Sequence, residues 1–218
     1  MPAPRITVLI SGRGSNLGAL IGAQQRGELG GSITMVISNR AEAAGLRLAA
    51  DSGIATRVID SASRTTRDAF DAALEEAVAA SAPDLVVLAG FMRILGPAFV
   101  ARYAGRMLNI HPSLLPLYPG LHTHRRALAD GVRIHGCTVH FVTDDLDHGP
   151  IVAQAAVAVR DDDDESALAA RVLAVEHRIL PAAVRAYCEG RIVIAERRVH
   201  VEGAAFPAGA LEVPSAAA

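Results

Sequence analysis

Several features that place a protein in a specialised class are scarce in this chain of 218 residues. Its two cysteines, Cys137 and Cys188, are too few for a disulfide framework and favour a reducing compartment. No apolar run reaches the length of a membrane span, and Met1–Arg5 leads directly into a strand pattern rather than a signal peptide. The formal net charge is only -2, which leaves no electrostatic footprint for nucleic acid or an acidic membrane surface. We therefore expect a soluble, cytoplasmic protein that acts on small molecules and has no nucleic-acid or membrane partner.

The apolar residues that are present form short runs separated by helical patterns. At 51% hydrophobic and 20% charged, the composition supports one sizeable core. The runs do not alternate in polarity, as is typical of strands that are buried on both faces. This order predicts a Rossmann-like α/β fold, with a doubly wound, mostly parallel sheet and helices on both faces. The predicted strands are Ile6–Ile10, Ile33–Ile37, Arg57–Ile59, Asp84–Ala89 and Arg106–Ile110, and the predicted helices are Asn16–Arg26, Glu42–Asp51, Thr65–Ala80 and Pro97–Tyr103.

The pattern changes after residue 135. Alternating residues at Cys137–Val142 predict one strand and Ile151–Val159 predicts another, and the two are expected to form an antiparallel hairpin that extends the sheet. A long helix is predicted from about Asp164 to Tyr187, with a kink or a split at Pro181. Because no repeat or linker is visible, we expect a single domain over 1–218, in which the tail from about 203 is loosely docked.

A glycine-rich loop follows the first strand and opens the first helix. Ser11–Gly18 reads S-G-R-G-S-N-L-G, in which Ser15 or Asn16 is expected to cap the helix and the free N–H groups to bind an anion. The glycine spacing differs from the dinucleotide pattern, and the second strand ends without a carboxylate for a ribose diol. A single phosphate therefore fits better than a pyrophosphate. An NADP site through Arg40 and a plain strand–helix turn are the alternatives.

The stretch Asn109–Pro112 combines an amide and an imidazole at a strand end. Asn109 and His111 are two residues apart and so face the same side of the strand. An amide that donates to a carbonyl oxygen, beside a histidine that acts as base or charged donor, indicates acyl-transfer chemistry. A carboxylate partner is expected in the loop Asp144–Pro150, where three aspartates stay open. Because Ser113 lacks a nucleophile elbow, direct attack by a substrate amine is the simpler mechanism. The alternative is a turn-forming asparagine and a buried structural histidine.

Two further clusters suggest metal ions, and one loop suggests an organic ligand. His122 and His124 invite a zinc site, but no H-E-x-x-H or paired C-x-x-C pattern is present, so no metal is expected. Asp161–Asp164 lacks the glycine and distal glutamate of an EF-hand and is interpreted as the start of a helix. The apolar loop Gly90–Pro97 can sandwich a flat heterocycle or belong to the core.

Five stretches together resemble the phosphoribosylglycinamide formyltransferase family, the folate-dependent enzymes of purine synthesis. They occur in one order along nearly the whole chain, which is more specific than any single motif. The stretches are Ile10–Asn16, Val87–Leu95, Asn109–Pro116, Tyr118–His124 and His140–Asp147.

The resemblance implies a reaction and a set of site residues. The formyl group of 10-formyltetrahydrofolate, a co-substrate, would pass to the amine of glycinamide ribonucleotide without a metal. Asn109 and protonated His111 would stabilise the oxyanion, while Asp147 orients His111 and assists proton transfer. The residues implied for the ribonucleotide are Gly14, Ser15, Asn16 and Glu176, and those implied for the folate are Arg67, Met92, Arg93, Ile94, Leu95, Asn109, Thr143, Asp144, Asp145, Leu146 and Asp147.

Related activities share the Asn-x-His element, so the resemblance leaves rivals to consider. A methionyl-tRNA formyltransferase would carry a further nucleic-acid-binding domain, and a formyltetrahydrofolate hydrolase an N-terminal regulatory domain. With 218 residues and a first strand at Ile6, we expect neither. A non-catalytic nucleotide-binding module is the rival from a different class. A monomer or a homodimer fits the sequence equally well, and the isomer of the Leu115–Pro116 peptide stays open.

Overall fold

A computed structural model describes residues 2–60, 66–196 and 198–203 of the chain. A seven-stranded sheet runs through its centre in the order β3-β2-β1-β4-β5-β6-β7, and β8 and β9 form a separate antiparallel pair. The first five strands are parallel, and β6 and β7 are antiparallel to their neighbours. The predicted fold class is confirmed. The strands are β1 (Arg5–Ile10), β2 (Ser32–Ser38), β3 (Ala55–Val58), β4 (Leu85–Leu88), β5 (Met107–His111), β6 (Ile134–Phe141), β7 (Ile151–Ala158), β8 (Ile192–Ala195) and β9 (Arg198–Val201).

Helices cover both faces of the sheet and form two cores. In β1, Ile6, Val8 and Ile10 pack into the core that contains α1 and α6, whereas Leu9 packs into the core that contains α3 and α4. Burial on both faces explains why the strand sequences do not alternate in polarity. The helices are α1 (Ser15–Gln25), α2 (Ala44–Asp51), α3 (Arg67–Ala80), α4 (Pro97–Arg102), α5 (Thr123–Ala129) and α6 (Glu165–Cys188).

The predicted bounds differ from the structure most in the second half of the chain. β6 begins at Ile134, three residues before the prediction, and the short elements α5, β8 and β9 were not predicted at all. The predicted split at Pro181 is wrong, because α6 continues through this residue. One missing N–H donor is tolerated there because the flanking turns bury Leu180 and Val184 in the core. The predicted loosely docked tail lies outside the described residues from 204 onward.

The acidic run before α6 begins a helix, as predicted. Asp164 is the N-cap, and its Oδ1 accepts a hydrogen bond from the Ala167 N–H at 2.7 Å. No helix in the described ranges combines the length and apolar character that crossing a membrane requires.

Replacing Asp163 by asparagine is expected to lower the free energy of unfolding by about 1.5–3 kcal/mol at neutral pH. The Arg171 guanidinium donates to both carboxylate oxygens of Asp163, at 2.6 and 2.7 Å, and the carboxylate is 2% exposed. These bonds lower the pKa of Asp163 from 3.8 to about 2. Because the folded-state pKa is depressed, the stabilisation is present above the unfolded value and is lost as the pH falls from 3.8 towards about 2.

Urea denaturation of the wild type and of Asp163→Asn, at neutral pH and at about pH 3, measures this difference. Asp161→Asn is the matched control, since the Asp161 side chain is 84% exposed in its pair with Arg133 and should contribute little. Equal losses in the two variants would contradict the assignment.

Candidate active site

The site lies where the order of the strands reverses. β1 has β2 on one side and β4 on the other. The chain therefore turns in opposite directions after β1 and after β4, and the two loops leave a crevice between them at the carboxyl edge of the sheet. Ser11 fastens these loops: its N–H donates to the Gly90 carbonyl at 3.1 Å, and its hydroxyl donates to Asn39 Oδ1 at 2.6 Å. The same hydroxyl accepts the Met92 N–H at 2.7 Å. These three hydrogen bonds hold the loops after β1, β2 and β4 together at the carboxyl edge of the sheet, next to β5.

A cavity of about 530 Å³ opens at this edge. Its walls come from the loop after β4, the end of β5, the segment 120–124 and the loop between β6 and β7. The structure brings eleven of the residues singled out from the sequence to this cavity: Met92, Arg93, Ile94, Leu95, Asn109, His111, Thr143, Asp144, Asp145, Leu146 and Asp147. It does not place Arg67, Gly14, Ser15, Asn16 or Glu176 in the lining.

His111 is buried between two hydrogen-bond acceptors. Its Nε2 donates to the Tyr118 carbonyl at 2.9 Å, and its Nδ1 lies 3.5 Å from Asp147 Oδ2. Only the doubly protonated ring offers a donor on each of these sides. The same Asp147 oxygen accepts the Gly120 N–H at 2.8 Å, which holds the carboxylate in place. Both ring nitrogens of His111 therefore already face acceptors from this chain.

His140 holds the Asn109 amide, a contact that the sequence analysis missed. The His140 Nδ1 donates to the Phe141 carbonyl at 2.9 Å, so its Nε2 accepts from Asn109 Nδ2 at 3.0 Å. Burial lowers the pKa of His140 against the opposing effect of Asp147, which keeps the ring neutral and able to accept. Asn109 and His140 are direct partners in the antiparallel β5–β6 pair and so share a face. The alternating pattern of β6 did not fix that register, so no direct signal for this contact was available from the sequence.

A strained turn presents the Asp147 carboxylate. The φ of Asp147 is 56°, in the left-handed region that only a few residue types adopt. Two residues later, a Cβ on Gly149 would lie 1.7 Å from the Phe141 carbonyl oxygen, so this turn packs tightly on the end of β6. Asp144 and Asp145 lie exposed in the same loop, and neither is paired with His111.

Large apolar side chains around the cavity mouth are exposed to solvent. Met92, Ile94, Leu121 and Leu146 all line the cavity, yet between 51% and 67% of each residue is exposed. Backbone polar groups and apolar side chains at one opening are suited to a flat heterocycle.

Arg67 lies outside the cavity and bonds to the loop that forms its mouth. Its Nη2 donates to the Ile94 and Leu95 carbonyls at 3.4 and 3.3 Å, and its Nε lies 3.6 Å from Asp71 Oδ2. Arg93 stacks on the Phe70 ring at 4.7 Å from the centroid. Arg67 therefore supports the loop that contacts the cavity and does not line the cavity itself.

The glycine loop begins α1 without a side-chain cap. The predicted caps Ser15 and Asn16 are wrong, because the N-cap is Gly14, with φ 77°. A Cβ on Gly14 would lie 2.6 Å from the Gly45 Cα, so the backbone is packed too closely for another residue. The first N–H groups of α1 have no acceptor within the helix, and a helix end of this kind is suited to an anion.

Asn16 instead joins the glycine loop to α6. Its Nδ2 donates to Glu176 Oε2 at 2.7 Å, and both side chains are buried. Burial raises the pKa of Glu176, while this hydrogen bond acts in the opposite direction. The Asn16 Oδ1 is also buried and has no hydrogen-bond partner. An orphaned acceptor beside a carboxyl group is suited to the hydroxyl groups of a ligand.

Two of the histidines that the zinc interpretation involved, His124 and His135, lie in one aromatic cluster, and His111, His122, His140 and His148 do not. His124 and His135 pack edge to face with ring centroids 5.3 Å apart, and burial lowers the pKa of His135 to about 4. In the part of the chain that the structure describes, no group of three or more histidine, cysteine, aspartate or glutamate side chains is placed to hold a metal ion. The Leu115–Pro116 peptide nearby is cis.

Comparisons with known proteins agree on one family. A family model described as formyl transferase matches residues 4–184. The phosphoribosylglycinamide formyltransferase of Escherichia coli (strain K12) is 50% identical over 202 residues, which cover 93% of this chain and 95% of that protein. The trifunctional purine biosynthetic protein adenosine-3 of Homo sapiens is 46% identical over 192 residues, which cover 88% of this chain but only 19% of that protein.

A solved structure agrees with the sequence comparison. The crystal structure of glycinamide ribonucleotide transformylase 1 from Symbiobacterium toebii superposes with a TM-score of 0.89 at 49% identity, covering 91% of this chain and 94% of that one. The resemblance inferred from the five sequence stretches is confirmed.

Proposed function

This chain belongs to the formyl transferase family, and from that premise we propose that it transfers the formyl group of 10-formyltetrahydrofolate to the amine of glycinamide ribonucleotide. The observation that carries the proposal is the meeting of Asn109, His111 and Asp147 in one cavity, with the His111 Nδ1 3.5 Å from Asp147 Oδ2. The names of the similar proteins support the choice of substrates.

The two substrates approach the formyl carbon from different parts of the edge. The folate heterocycle occupies the apolar cavity between the loop after β4 and the loop between β6 and β7. The phosphate of the ribonucleotide binds the N–H groups at the start of α1, where Gly14, Ser15 and Asn16 lie. Ser11 connects the two parts, because it begins the glycine loop and bonds to Gly90 and Met92 of the cavity wall.

The reaction proceeds by direct attack of the substrate amine on the formyl carbon. The carbonyl oxygen becomes an oxyanion, which accepts hydrogen bonds from the Asn109 amide and from the His111 Nε2–H, which exchanges its present acceptor, the Tyr118 carbonyl, for the oxyanion. Such preorganised donors stabilise charge that develops only in the transition state. Asp147 keeps His111 oriented and takes part, through water, in moving the proton from the attacking amine to the departing folate nitrogen. His140 positions the Asn109 amide.

A steady-state assay with both substrates tests the proposal, by following absorbance as the folate loses its formyl group. We expect turnover to need both substrates. Equal loss of the formyl group without the ribonucleotide would indicate that water is the acceptor and the enzyme a hydrolase. Saturable NADPH binding would instead favour the dinucleotide alternative.

Replacing Glu176 by glutamine is expected to raise the KM for the ribonucleotide by roughly tenfold to a hundredfold, with a smaller change in kcat. The carboxylate lies beside the orphaned Asn16 Oδ1, where the ribose hydroxyl groups are proposed to bind. Glutamine keeps an oxygen for the Asn16 amide but lacks the charge. Two-substrate kinetics measure the effect, and an unchanged KM would remove Glu176 from the binding site.

The stability of Glu176→Gln provides the matched control for misfolding. Because burial raises the pKa of Glu176 above its unfolded value, the charged carboxylate destabilises the folded state at neutral pH. The variant should therefore unfold at the same or a higher temperature than the wild type, and this advantage should shrink as the pH falls through the raised pKa. Lower stability would assign Glu176 a structural role.

A further inference from the structure

A second cavity, of about 550 Å³, lies beside the β8–β9 pair. It shares Asp147 with the catalytic cavity, but the rest of its lining is different. Its walls are formed by the turn at Leu115–Pro116, the segment His148–Ile151 and the strand β9. Its volume is within the range of small-molecule sites. None of the residues proposed to contact the two substrates opens onto it except Asp147.

Arginine and histidine side chains line this cavity from two elements. Arg198 and His200 are alternate residues of β9, and both line the cavity. Across the described part of the chain, neither of these exposed side chains has a hydrogen-bond or ion-pair partner. From the opposite wall, His148 donates its Nδ1 proton to the Leu146 carbonyl at 2.8 Å, so its Nε2 is an acceptor in the neutral ring. Among the described residues, the Arg198 guanidinium therefore lines the cavity without an ion-pair partner.

Within the described ranges, the lining of this cavity offers no carboxylate that faces Arg198. Asp147 is the single acidic residue in its lining, and both of its oxygens face the catalytic side. One accepts the Gly120 N–H at 2.8 Å and lies 3.5 Å from His111, and the other lies 3.7 Å from His140. A guanidinium without a partner is suited to a carboxylate, which it can bind through two parallel hydrogen bonds.

The remaining wall is apolar. Leu115, Pro116, Pro150, Ile151 and Val199 line it and offer no side-chain donors. A free phosphate would leave some of its oxygens facing these side chains without partners, whereas a flat ring would be in contact with them. We propose that this cavity binds a small aromatic carboxylate, with the carboxylate on Arg198 and the ring against Pro116, Pro150 and Ile151.

A ligand in this cavity would contact the loop between β6 and β7, which contains Asp147. The ligand would contact Gly149 and Pro150, which follow the strained Asp147 turn and are packed against the end of β6. An occupant therefore touches the backbone that presents the Asp147 carboxylate. The site does not depend on the chemistry proposed for the catalytic cavity, because its occupancy can be measured without substrates.

Titration of the full chain with benzoate, followed by amide signals in two-dimensional NMR, tests the proposal. We expect saturable shifts at residues 147–151 and 198–201, and no comparable shifts with benzamide, which has the ring without the charge. Arg198→Ala should weaken benzoate binding by roughly tenfold to a hundredfold, and Arg198→Lys by less, because it keeps the charge. Arg57→Ala removes an exposed arginine from β3, at the other edge of the sheet, and should bind as the wild type does.

Three results would overturn the site. These are the absence of saturable shifts, equal affinities in Arg198→Ala and Arg57→Ala, and shifts centred on residues 90–95 and 143–146 of the catalytic cavity. The amide spectrum of Arg198→Ala shows whether the variant is folded, so that lost binding is assigned to the side chain. A protein that binds benzoate but does not transfer formyl groups would refute the proposed function and leave this site intact.

Discussion

Replacing His111 by alanine is expected to lower kcat by roughly a hundredfold to a thousandfold. The buried imidazole is held between the Tyr118 carbonyl and the Asp147 carboxylate, so its position is fixed before substrate arrives. A ring that is already in position needs little reorganisation when the oxyanion forms, because only one acceptor is exchanged. Because this interaction strengthens in the transition state, its loss should appear in kcat rather than in substrate affinity.

Steady-state kinetics and calorimetric titration with a folate analogue separate these two effects for His111→Ala. We expect affinity for the analogue within a few-fold of the wild type. His111→Gln is the control for lost packing, since it restores a neutral donor and should recover part of kcat. Turnover of His111→Ala close to that of the wild type would exclude the imidazole from the chemistry, and loss of analogue binding with kcat unchanged would assign it to the cavity wall.

Replacing Asn109 by aspartate is expected to lower kcat by roughly a hundredfold or more, although the side chain keeps its size. The Asn109 Nδ2 donates to the neutral His140 ring at 3.0 Å, which fixes the amide orientation and leaves its second N–H for the oxyanion. Aspartate has no donor to offer either partner, and it places a second negative charge near Asp147. Both effects oppose formation of an oxyanion.

Asn109→Ala and His140→Ala distinguish the donor from its support. Asn109→Ala should be impaired, but less than Asn109→Asp, because it lacks the amide without adding a negative charge. His140→Ala should lose less, because the amide is present but no longer held in one orientation. If His140→Ala were more impaired than Asn109→Ala, the neutral histidine would be the catalytic group and the amide its support.

The sequence predicted the parts of the site that depend on local spacing. Asn109 and His111 share a face because they are two residues apart in β5, and the glycine loop follows from its place between β1 and α1. Local spacing did not show which of the three aspartates in the Asp144–Pro150 loop is the partner of His111. That choice came from the resemblance, and the structure places Asp147 beside His111.

The features that sequence reasoning missed depend on contacts between distant segments. His140 meets Asn109 through the register of β6 on β5, which the predicted alternation did not fix. Gly14 takes the cap of α1 because Gly45 packs against it, a contact between residues 31 positions apart that spacing rules do not contain. The β8–β9 pair is too short and too exposed to leave a strong pattern, yet it supplies Arg198 to the second cavity.

The most direct measurement of the catalytic proposal is a crystal structure with a stable analogue of the tetrahedral adduct between the two substrates. The analogue oxygen that represents the oxyanion should lie within about 3 Å of Asn109 Nδ2 and of a His111 ring nitrogen. Its phosphate should rest on the backbone of Gly14 and Ser15. An oxygen directed away from both side chains, or a phosphate bound outside the glycine loop, would contradict the account.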